Sequence, residues 1–383
     1  MKITTVAILM ASSMLTACTM APHYDRPKVD VSNQWSNSLD IGTAEQDAVA
    51  NIEWRQFFKS PEIQSIIELA LEHNKNLAIA AANIEEARAM YRIQRADLIP
   101  NINVNAEGLK QRMPDALSTT GVSVNSETYK ANLASTSYEL DLFGRLRSLN
   151  KAAAEDYLAT LQAKKSPQIS LIAEIENAYL QLLADKEILR LTQNILKAQS
   201  DTYSLMLESF NTGAASKLDV AQVKQTLEAA KVNLSIYEHL VGQDKNALTL
   251  LIGTSNARNI MDNEFSLKDV NLMKHLPVTM PSQVLLTRPN VMQAEHDLKA
   301  LNANIGAVRA AFFPKISLTG NFGFASTDLS TLFTGSASNA WAFMPSVSLP
   351  IFEGGRNIAN LGISNTRKKS GSSFLRKGCA NSL

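Results

Sequence analysis

Residues 76–108 of this chain read NLAIAAANIEEARAMYRIQRADLIPNINVNAEG, and residues 290–322 read NVMQAEHDLKALNANIGAVRAAFFPKISLTGNF. A constant offset of 214 residues (314 − 100) aligns Arg95 with Arg309 and Pro100 with Pro314. An internal repeat of this kind indicates a fold that is assembled from duplicated units.

Each copy is predicted to pass from a helix into a strand at a proline. The alanine-rich stretch before the proline is typical of a helix, and proline ends it because its ring lacks the N–H donor and crowds the preceding turn. Pro100 and Pro314 are therefore the predicted helix-to-strand junctions. After the first proline, Ile102, Val104 and Ala106 alternate with polar residues, which is the period of a strand.

A second alternating run follows a Gly/Ser/Thr-rich loop in each copy, at about 113–126 and 326–339. The runs end at Phe143 and Phe352, an offset of 209 (352 − 143), so only the loop length differs between the copies. We predict two strand pairs, about 101–143 and about 315–352. In the first copy the apolar side switches phase between Leu133 and Tyr138.

Strands that are apolar on one side and polar on the other are typical of the wall of an outer-membrane β-barrel. A soluble hairpin that packs one face on a core is the alternative. Four strands cannot close a barrel, because known barrels begin at about eight strands. Since an open sheet edge is not tolerated in lipid, we predict that several chains share one barrel.

Heptad spacing predicts a long helical hairpin over about 145–252. Ile175, Leu182 and Leu189 begin one seven-residue series, and Leu227, Leu234 and Val241 belong to another. Such spacing is typical of coiled coils, and sixty-odd helical residues extend roughly 100 Å. A purely structural coiled coil is the alternative to a tunnel wall. Pro167 is expected to kink or restart the first helix.

The predicted hairpin tip is short and polar. Gly213 suits the left-handed residue that ends a helix, and Ser216 with Asp219 resembles a capping box. We predict that Gly213, Ser216, Leu218 and Asp219 form the periplasmic tip. Elsewhere, Ser60 is the expected N-cap of a helix that starts at Pro61.

The first residues form a predicted export signal, 1–17. Its apolar core runs into Leu15-Thr16-Ala17-Cys18, which resembles a bacterial lipobox. Cys18 is the predicted attachment point for acyl chains, palmitate among them, which would anchor the chain in lipid without spanning it. An ordinary signal with a coincidental cysteine is the alternative. Thr19 after the cysteine indicates sorting to the outer membrane.

Composition excludes several classes of function. The net charge of +1 leaves no basic excess for nucleic acid, and two cysteines make neither a disulfide framework nor a zinc site. No stretch approaches the ~18 apolar residues of a spanning helix. The five histidines are scattered and no catalytic motif occurs, so we predict no enzyme activity and no cofactor apart from the covalent lipid on Cys18.

Several motifs together resemble the outer-membrane factor family, the TolC-like channels, and within it the lipoprotein (NodT/OprM-type) branch that serves resistance-nodulation-division (RND) efflux pumps. The motifs are LTAC at 15–18, APHY at 21–24, WRQFF at 54–58, YELDLFGR at 138–145, Gly213 with SKLD at 216–219, FFP at 312–314 and PIFEGGR at 350–356.

The resemblance implies an α+β membrane protein that assembles as a homotrimer. Four strands per chain would make a twelve-stranded barrel in the outer membrane of a Gram-negative bacterium, and the helical hairpins would form a periplasmic tunnel. The tip would meet a periplasmic adaptor (membrane fusion) protein and an inner-membrane RND transporter, the partners of the channel in the pump. The protein would conduct drugs and other solutes passively and confer antibiotic resistance.

One departure from the family concerns the C-terminal end. Only 27 residues follow Arg356, where the family has a second long hairpin, and the gate residues that lie in that hairpin cannot be assigned here. The sequence leads us to expect a truncated or frame-shifted product from about Ser370, in which each protomer would supply half of the tunnel wall. A chain that no longer conducts is the alternative to a working channel. The predicted segments are 1–17 signal, 18–59 extended N-terminal segment, 60–253 first repeat, 254–280 linker, 281–369 partial second repeat and 370–383 aberrant tail.

The main alternative function is a lipid-anchored periplasmic adaptor with one coiled-coil hairpin, or a structural lipoprotein without a pore. Adaptors also carry lipoboxes and heptads. A duplicated strand–loop–strand pattern with outward-facing aromatic residues distinguishes the channel, because a soluble adaptor would not need it.

Overall fold

The computed structural model describes residues 19–28, 53–119, 121–257, 261–262, 265–271, 287–334 and 338–380. The predicted signal at 1–17 and the predicted acylation site, Cys18, lie outside these residues. Parts of the predicted segments 18–59, 254–280 and 281–369 and the end of the tail also lie outside them. No described helix combines the length and the apolar character that crossing a bilayer requires.

Two compact units divide the chain. We call Met1–Val29, Ile84–Thr160 and Val291–Leu383 the strand unit, and Asp30–Asn83 with Leu161–Asn290 the helical unit. The strand unit takes residues from both sequence repeats, so these units do not follow the predicted segments 60–253 and 281–369. The helices are α1 (Trp54–Phe57), α2 (Pro61–His73), α3 (Lys75–Ala96), α4 (Arg145–Asn211), α5 (Lys217–Ile252), α6 (Pro289–Ala310) and α7 (Arg356–Ala380).

Both predicted strand pairs are present and join in one sheet. The strands are β1 (Asn103–Met113), β2 (Val124–Leu140), β3 (Lys315–Ser326) and β4 (Ser338–Ser348), in the order β1-β2-β3-β4. All three pairings are antiparallel. The β2–β3 pairing therefore connects the two repeats, and β1 and β4 form the edges of the described sheet.

The core of the helical unit is mainly aliphatic, with the aromatic rings of Phe58 and Tyr179 buried in it. Ile63, Ile66 and Ile67 lie on one face of α2, at the i, i+3, i+4 spacing of a buried stripe. They belong to one buried cluster with Leu182 of α4 and Leu248 of α5. This cluster packs the hairpin against α2 at the end away from the tip.

The predicted helical hairpin is α4 and α5, with five residues between them. Heptad positions near the core, such as Ile175 and Val241, are buried, whereas Leu196, Tyr203 and Leu234 are only half-buried. The helix continues through the exposed Pro167, so the expected restart does not occur there.

Ser60 occupies the predicted N-cap position of α2, but its side chain makes no capping bond. Its hydroxyl instead accepts a hydrogen bond from the backbone N–H of Asn271 at 2.9 Å. The neighbouring Lys59 N–H donates to the Asn271 carbonyl at 3.0 Å. A tertiary contact has replaced the local cap.

The predicted aberrant tail, 370–383, is helical as far as Ala380 within α7. Leu375 and Cys379 are fully buried, and a Cβ on Gly371 would lie 2.8 Å from Leu301 Cδ1 of α6. These residues recur at i, i+4 and i+8 and so share one helix face. Packing of this face outweighs the poor helix propensity of a segment rich in Gly and Ser.

Candidate functional site

One face of the sheet is apolar along its whole width. Residues opposite each other in an antiparallel pair project to the same side. The register aligns Val104 with Leu133, Leu133 with Phe322, and Phe322 with Trp341. Val104 is 80% exposed and Trp341 is 73% exposed. We call the side that carries these residues, with Phe343 and Val347, the apolar sheet face.

An extra residue in β2 keeps this face continuous. The register shifts between Ser135 and Tyr138, and Ser137 has a φ of +54°. The Ser137 N–H donates to Thr319 Oγ1 at 3.1 Å. A bulge re-aims the residues that follow it, so Tyr138 pairs with Leu318 on the same side as Leu133. The switch in apolar phase that the sequence shows is this bulge.

The opposite side of the sheet, the polar sheet face, carries mainly polar side chains. They surround a shallow recess in the middle of the sheet and comprise Asn105, Glu107, Lys130, Asn132, Thr136, Thr319 and Asn321. Glu107 lies directly opposite Lys130 in the β1–β2 register. One wall with an apolar and a hydrophilic side can separate lipid from water.

Ionic contacts join the sheet to the helix that leaves it. Arg145, at the start of α4, donates two hydrogen bonds of 2.7 Å to the Glu139 carboxylate, and Lys315 Nζ lies 3.0 Å from the same carboxylate. The bonds to Glu139 raise the pKa of the Arg145 guanidinium. Asp141 accepts from the backbone N–H of Arg147 at 2.8 Å and so caps α4.

The YELDLFGR motif therefore builds a strand-to-helix junction. Gly144 has a φ of +73°, and the Phe143 ring stacks on Phe313 with centroids 4.8 Å apart. Pro314 directly precedes β3, and Pro100 lies between the end of α3 and the start of β1. In the sequence, Glu139, Asp141 and Arg145 stand out only as members of the YELDLFGR motif. Their ionic roles become visible once the register brings Lys315 beside Glu139.

The hairpin tip has the predicted local structure. Gly213 has a φ of +83°, and the Ala214 N–H donates to the Ser209 carbonyl at 2.8 Å, as in a Schellman motif. Ser216 Oγ accepts from the Asp219 N–H, and the Asp219 carboxylate accepts from the Ser216 N–H at 2.8 Å. The Ser216 hydroxyl also donates to the Asp219 carboxylate at 2.7 Å. This bond, together with the one from the Ser216 backbone N–H, lowers the pKa of Asp219.

Leu218 completes the tip as an exposed apolar residue, with 66% of its surface accessible. The four predicted tip residues therefore lie together on the surface of the helical unit. Within the described part of the chain, no three His, Cys, Asp or Glu side chains are arranged to hold a metal ion.

Comparison with known proteins gives consistent matches. The family model for outer membrane efflux proteins matches residues 66–254 and 280–374. The probable efflux pump outer membrane protein TtgC of Pseudomonas putida is 42% identical over 371 residues, which cover 95% of this chain and 75% of that protein.

Two solved structures share the fold. A membrane protein from Pseudomonas aeruginosa is 38% identical with a TM-score of 0.85, and the match covers 95% of this chain and 81% of that one. The open state of the MtrE outer membrane channel of Neisseria gonorrhoeae is 34% identical with a TM-score of 0.80, and the match covers 95% and 79%.

The α+β fold, in which a two-faced sheet continues into a long helical hairpin, is that of an outer-membrane channel subunit. The chain belongs to the outer membrane efflux protein family. The resemblance to the outer-membrane factors is thereby confirmed, and the family is one of transport components.

Proposed function

We propose that this chain is the outer-membrane channel component of a tripartite efflux pump and conducts drugs and other solutes passively to the cell exterior. The apolar sheet face carries this proposal, because a soluble adaptor would have no use for an exposed face with Trp341, Phe322 and Phe343 on it. The polar sheet face would line a water-filled lumen. Such a lumen lowers the barrier for polar solutes and has few specific contacts, which suits a broad range of substrates. The energy for export comes from the partner pump.

The channel is a homotrimer in this proposal, since three copies supply twelve strands. The β2–β3 pairing offers a template for the contact between copies, because β4 and β1 are the repeat equivalents of β2 and β3. Tyr138 pairs with Leu318 in that template. Adding 209 to the first number and subtracting 214 from the second transfers the pair to Val347 of one copy and Val104 of the next.

This register is testable by cross-linking the variant Val104→Cys/Val347→Cys in membranes. Paired Cβ atoms in an antiparallel ladder lie about 4.5–5.5 Å apart, which is close enough for a disulfide after small adjustment. We expect a covalent ladder that stops at three chains. The control Val104→Cys/Ser348→Cys places one thiol on the opposite face and should not cross-link. Failure of the first pair, or a ladder beyond three chains, would refute the assembly.

The hairpin tip is the proposed contact for the periplasmic adaptor, which in turn joins an inner-membrane RND transporter. Its support is the rigid cap at Ser216 and Asp219, which presents Leu218 to solvent. We expect Leu218→Arg to abolish co-purification of the adaptor without affecting insertion. Leu250→Arg, which alters an 82% exposed leucine of the same helix, is the matched control. Equal adaptor capture by both variants would contradict the role of the tip.

We further propose that Cys18 carries the acyl chains and anchors the mature chain in outer-membrane lipid. The lipobox LTAC supports this proposal. The mass of the N-terminal peptide tests it, because acylation at Cys18 predicts a lipid adduct that Cys18→Ser lacks. A wild-type peptide of unmodified mass would refute the anchor.

A further inference from the structure

The segment that follows Cys18 lies extended along one stripe of α6. Arg26 forms an ion pair with Glu295 at 2.9 Å, and Lys299 Nζ lies 5.6 Å from the centroid of the Tyr24 ring. Asn302 Nδ2 donates to the Pro22 carbonyl at 2.8 Å. Arg309 donates to the Met20 carbonyl at 3.3 Å. Both partners lie in the strand unit. As the segment advances, the helix partner moves backwards, so the two run antiparallel.

The lengths of the two partners agree. From Glu295 to Arg309 the helix rises about 21 Å at 1.5 Å per residue. From Met20 to Arg26 an extended chain covers about 20 Å. The helix partners are spaced by four, three and seven residues, which keeps them on one side of α6. The contacts therefore describe a continuous groove that an extended peptide fits along its length.

Gly306 forms the floor of this groove. A Cβ at this position would lie 2.6 Å from the Ala21 backbone nitrogen and 2.8 Å from Ala21 Cβ. Ser148 Oγ of α4, which lies 3.3 Å from Thr19 Oγ1 of the segment, would be only 2.7 Å from the same Cβ. Glycine in a helix interior is less favourable than alanine, so its presence here indicates a need for close approach.

The buried polar group at the centre of the groove makes the docking specific. Asn302 is 5% exposed, and its amide donates to the backbone of the segment rather than to a side chain. Undocking would leave this amide without that acceptor, which carries a penalty for a buried donor. Glu295, whose side chain is 17% exposed, forms ion pairs with both Arg26 and Lys299.

We infer that residues 19–26 are a strap and that the α6 groove fixes where the acylated N-terminus enters the membrane relative to the strands. This inference rests on the proposed acylation of Cys18. Met20 is held at Arg309, and β3 begins six residues further on, at Lys315. An undocked segment of eight residues could carry the anchor about 27 Å away. Gly306 is the positioning residue, because it admits the strap.

The test measures the distance between the strap and the sheet by pulsed electron paramagnetic resonance. Spin labels replace His23 of the strap, whose side chain is 89% exposed, and the exposed Asn339 at the far end of β4, in a Cys379→Ser background. Labelled chains are diluted with unlabelled ones so that only intrachain distances are read. We expect a narrow distance distribution in the acylated wild type and a broad one in Gly306→Leu.

Gly362→Leu is the matched control, since a Cβ on that helical glycine meets nothing within 4 Å. It should keep the narrow distribution. If Gly306→Leu does not fold, Arg26→Glu loosens the strap at its other end, and the exchange Arg26→Glu/Glu295→Arg should restore the narrow distribution. A broad distribution in the wild type, or a narrow one in Gly306→Leu and in Arg26→Glu, would overturn the inference. The peptide mass at Cys18 is read separately, so loss of the anchor is distinguished from loss of the strap.

Discussion

A pair of carboxyl groups between the two hairpin helices predicts a measurable dependence of stability on pH. Asp185 of α4 is 6% exposed and accepts from Gln181 Nε2 at 3.0 Å. Asp244 of α5 is half-buried with one enclosed carboxylate oxygen. Burial, followed by the hydrogen bond with Asp185 and its charge, raises the pKa of Asp244 from 3.8 to about 6.

The raised pKa means that the folded protein binds this proton more tightly than the unfolded chain does. The contribution of Asp244 to the free energy of unfolding should therefore fall as the pH rises from about 4 to about 6 and stay level above that range. For a fully buried group the shift would be worth about 3 kcal/mol at 1.36 kcal/mol per pKa unit. Because Asp244 is partly exposed, solvent screening reduces the expected effect to about 1–2 kcal/mol.

Asp244→Asn removes the proton equilibrium while keeping the shape of the side chain. We expect the variant to be more stable than the wild type by about 1–2 kcal/mol at pH 7.5 and to lose most of that advantage at pH 4.5. Urea unfolding in detergent, followed by far-ultraviolet circular dichroism, measures the difference. Asp201→Asn, at an exposed position on α4, should parallel the wild type at every pH. A parallel profile for Asp244→Asn as well would refute the reasoning.

Two further predictions concern the strand unit. Gly323→Ala should weaken the β2–β3 pairing by about 1–3 kcal/mol, because the new Cβ would lie 2.2 Å from the Ala131 carbonyl oxygen. In the matched variant Gly320→Ala, the new Cβ would have its nearest neighbour at 3.9 Å. On gels this variant should resist heat denaturation as well as the wild type does, whereas Gly323→Ala should not. Burial raises the pKa of the Cys379 thiol, so maleimide should label it slowly in the native protein and fast in urea; equal rates would contradict the packing of α7.

The strands and the hairpin were predictable because their signals are local and repeated. Alternation with a period of two located β1 and β3, and the heptads located α4 and α5. The tip was also predictable, since Gly213, Ser216 and Asp219 act on their immediate neighbours. In each case the side chain that gives the signal also makes the contact, within a few residues.

Features that depend on distant contacts could not be predicted in this way. The hydroxyl of Ser60 accepts a hydrogen bond from the distant Asn271. Leu375 is buried because α7 packs within the strand unit, and no heptad pattern in the sequence marks it. The bulge lies between these cases. The change of phase before Tyr138 was visible, but alternation alone does not show where an extra residue is placed or that Thr319 stabilises it.

The repeat also limits what a single chain can specify about closure of the barrel. In each repeat the first strand pairs with the second, and the β2–β3 pairing joins one repeat to the next. The same rule applied between copies pairs β4 of one copy with β1 of the next. This pairing is the same for any number of copies, so the edge residues do not determine how many subunits close the ring. In the proposed trimer, sheet twist and the width of the closed ring would therefore select three copies. The end point of the cross-linked ladder measures that selection directly.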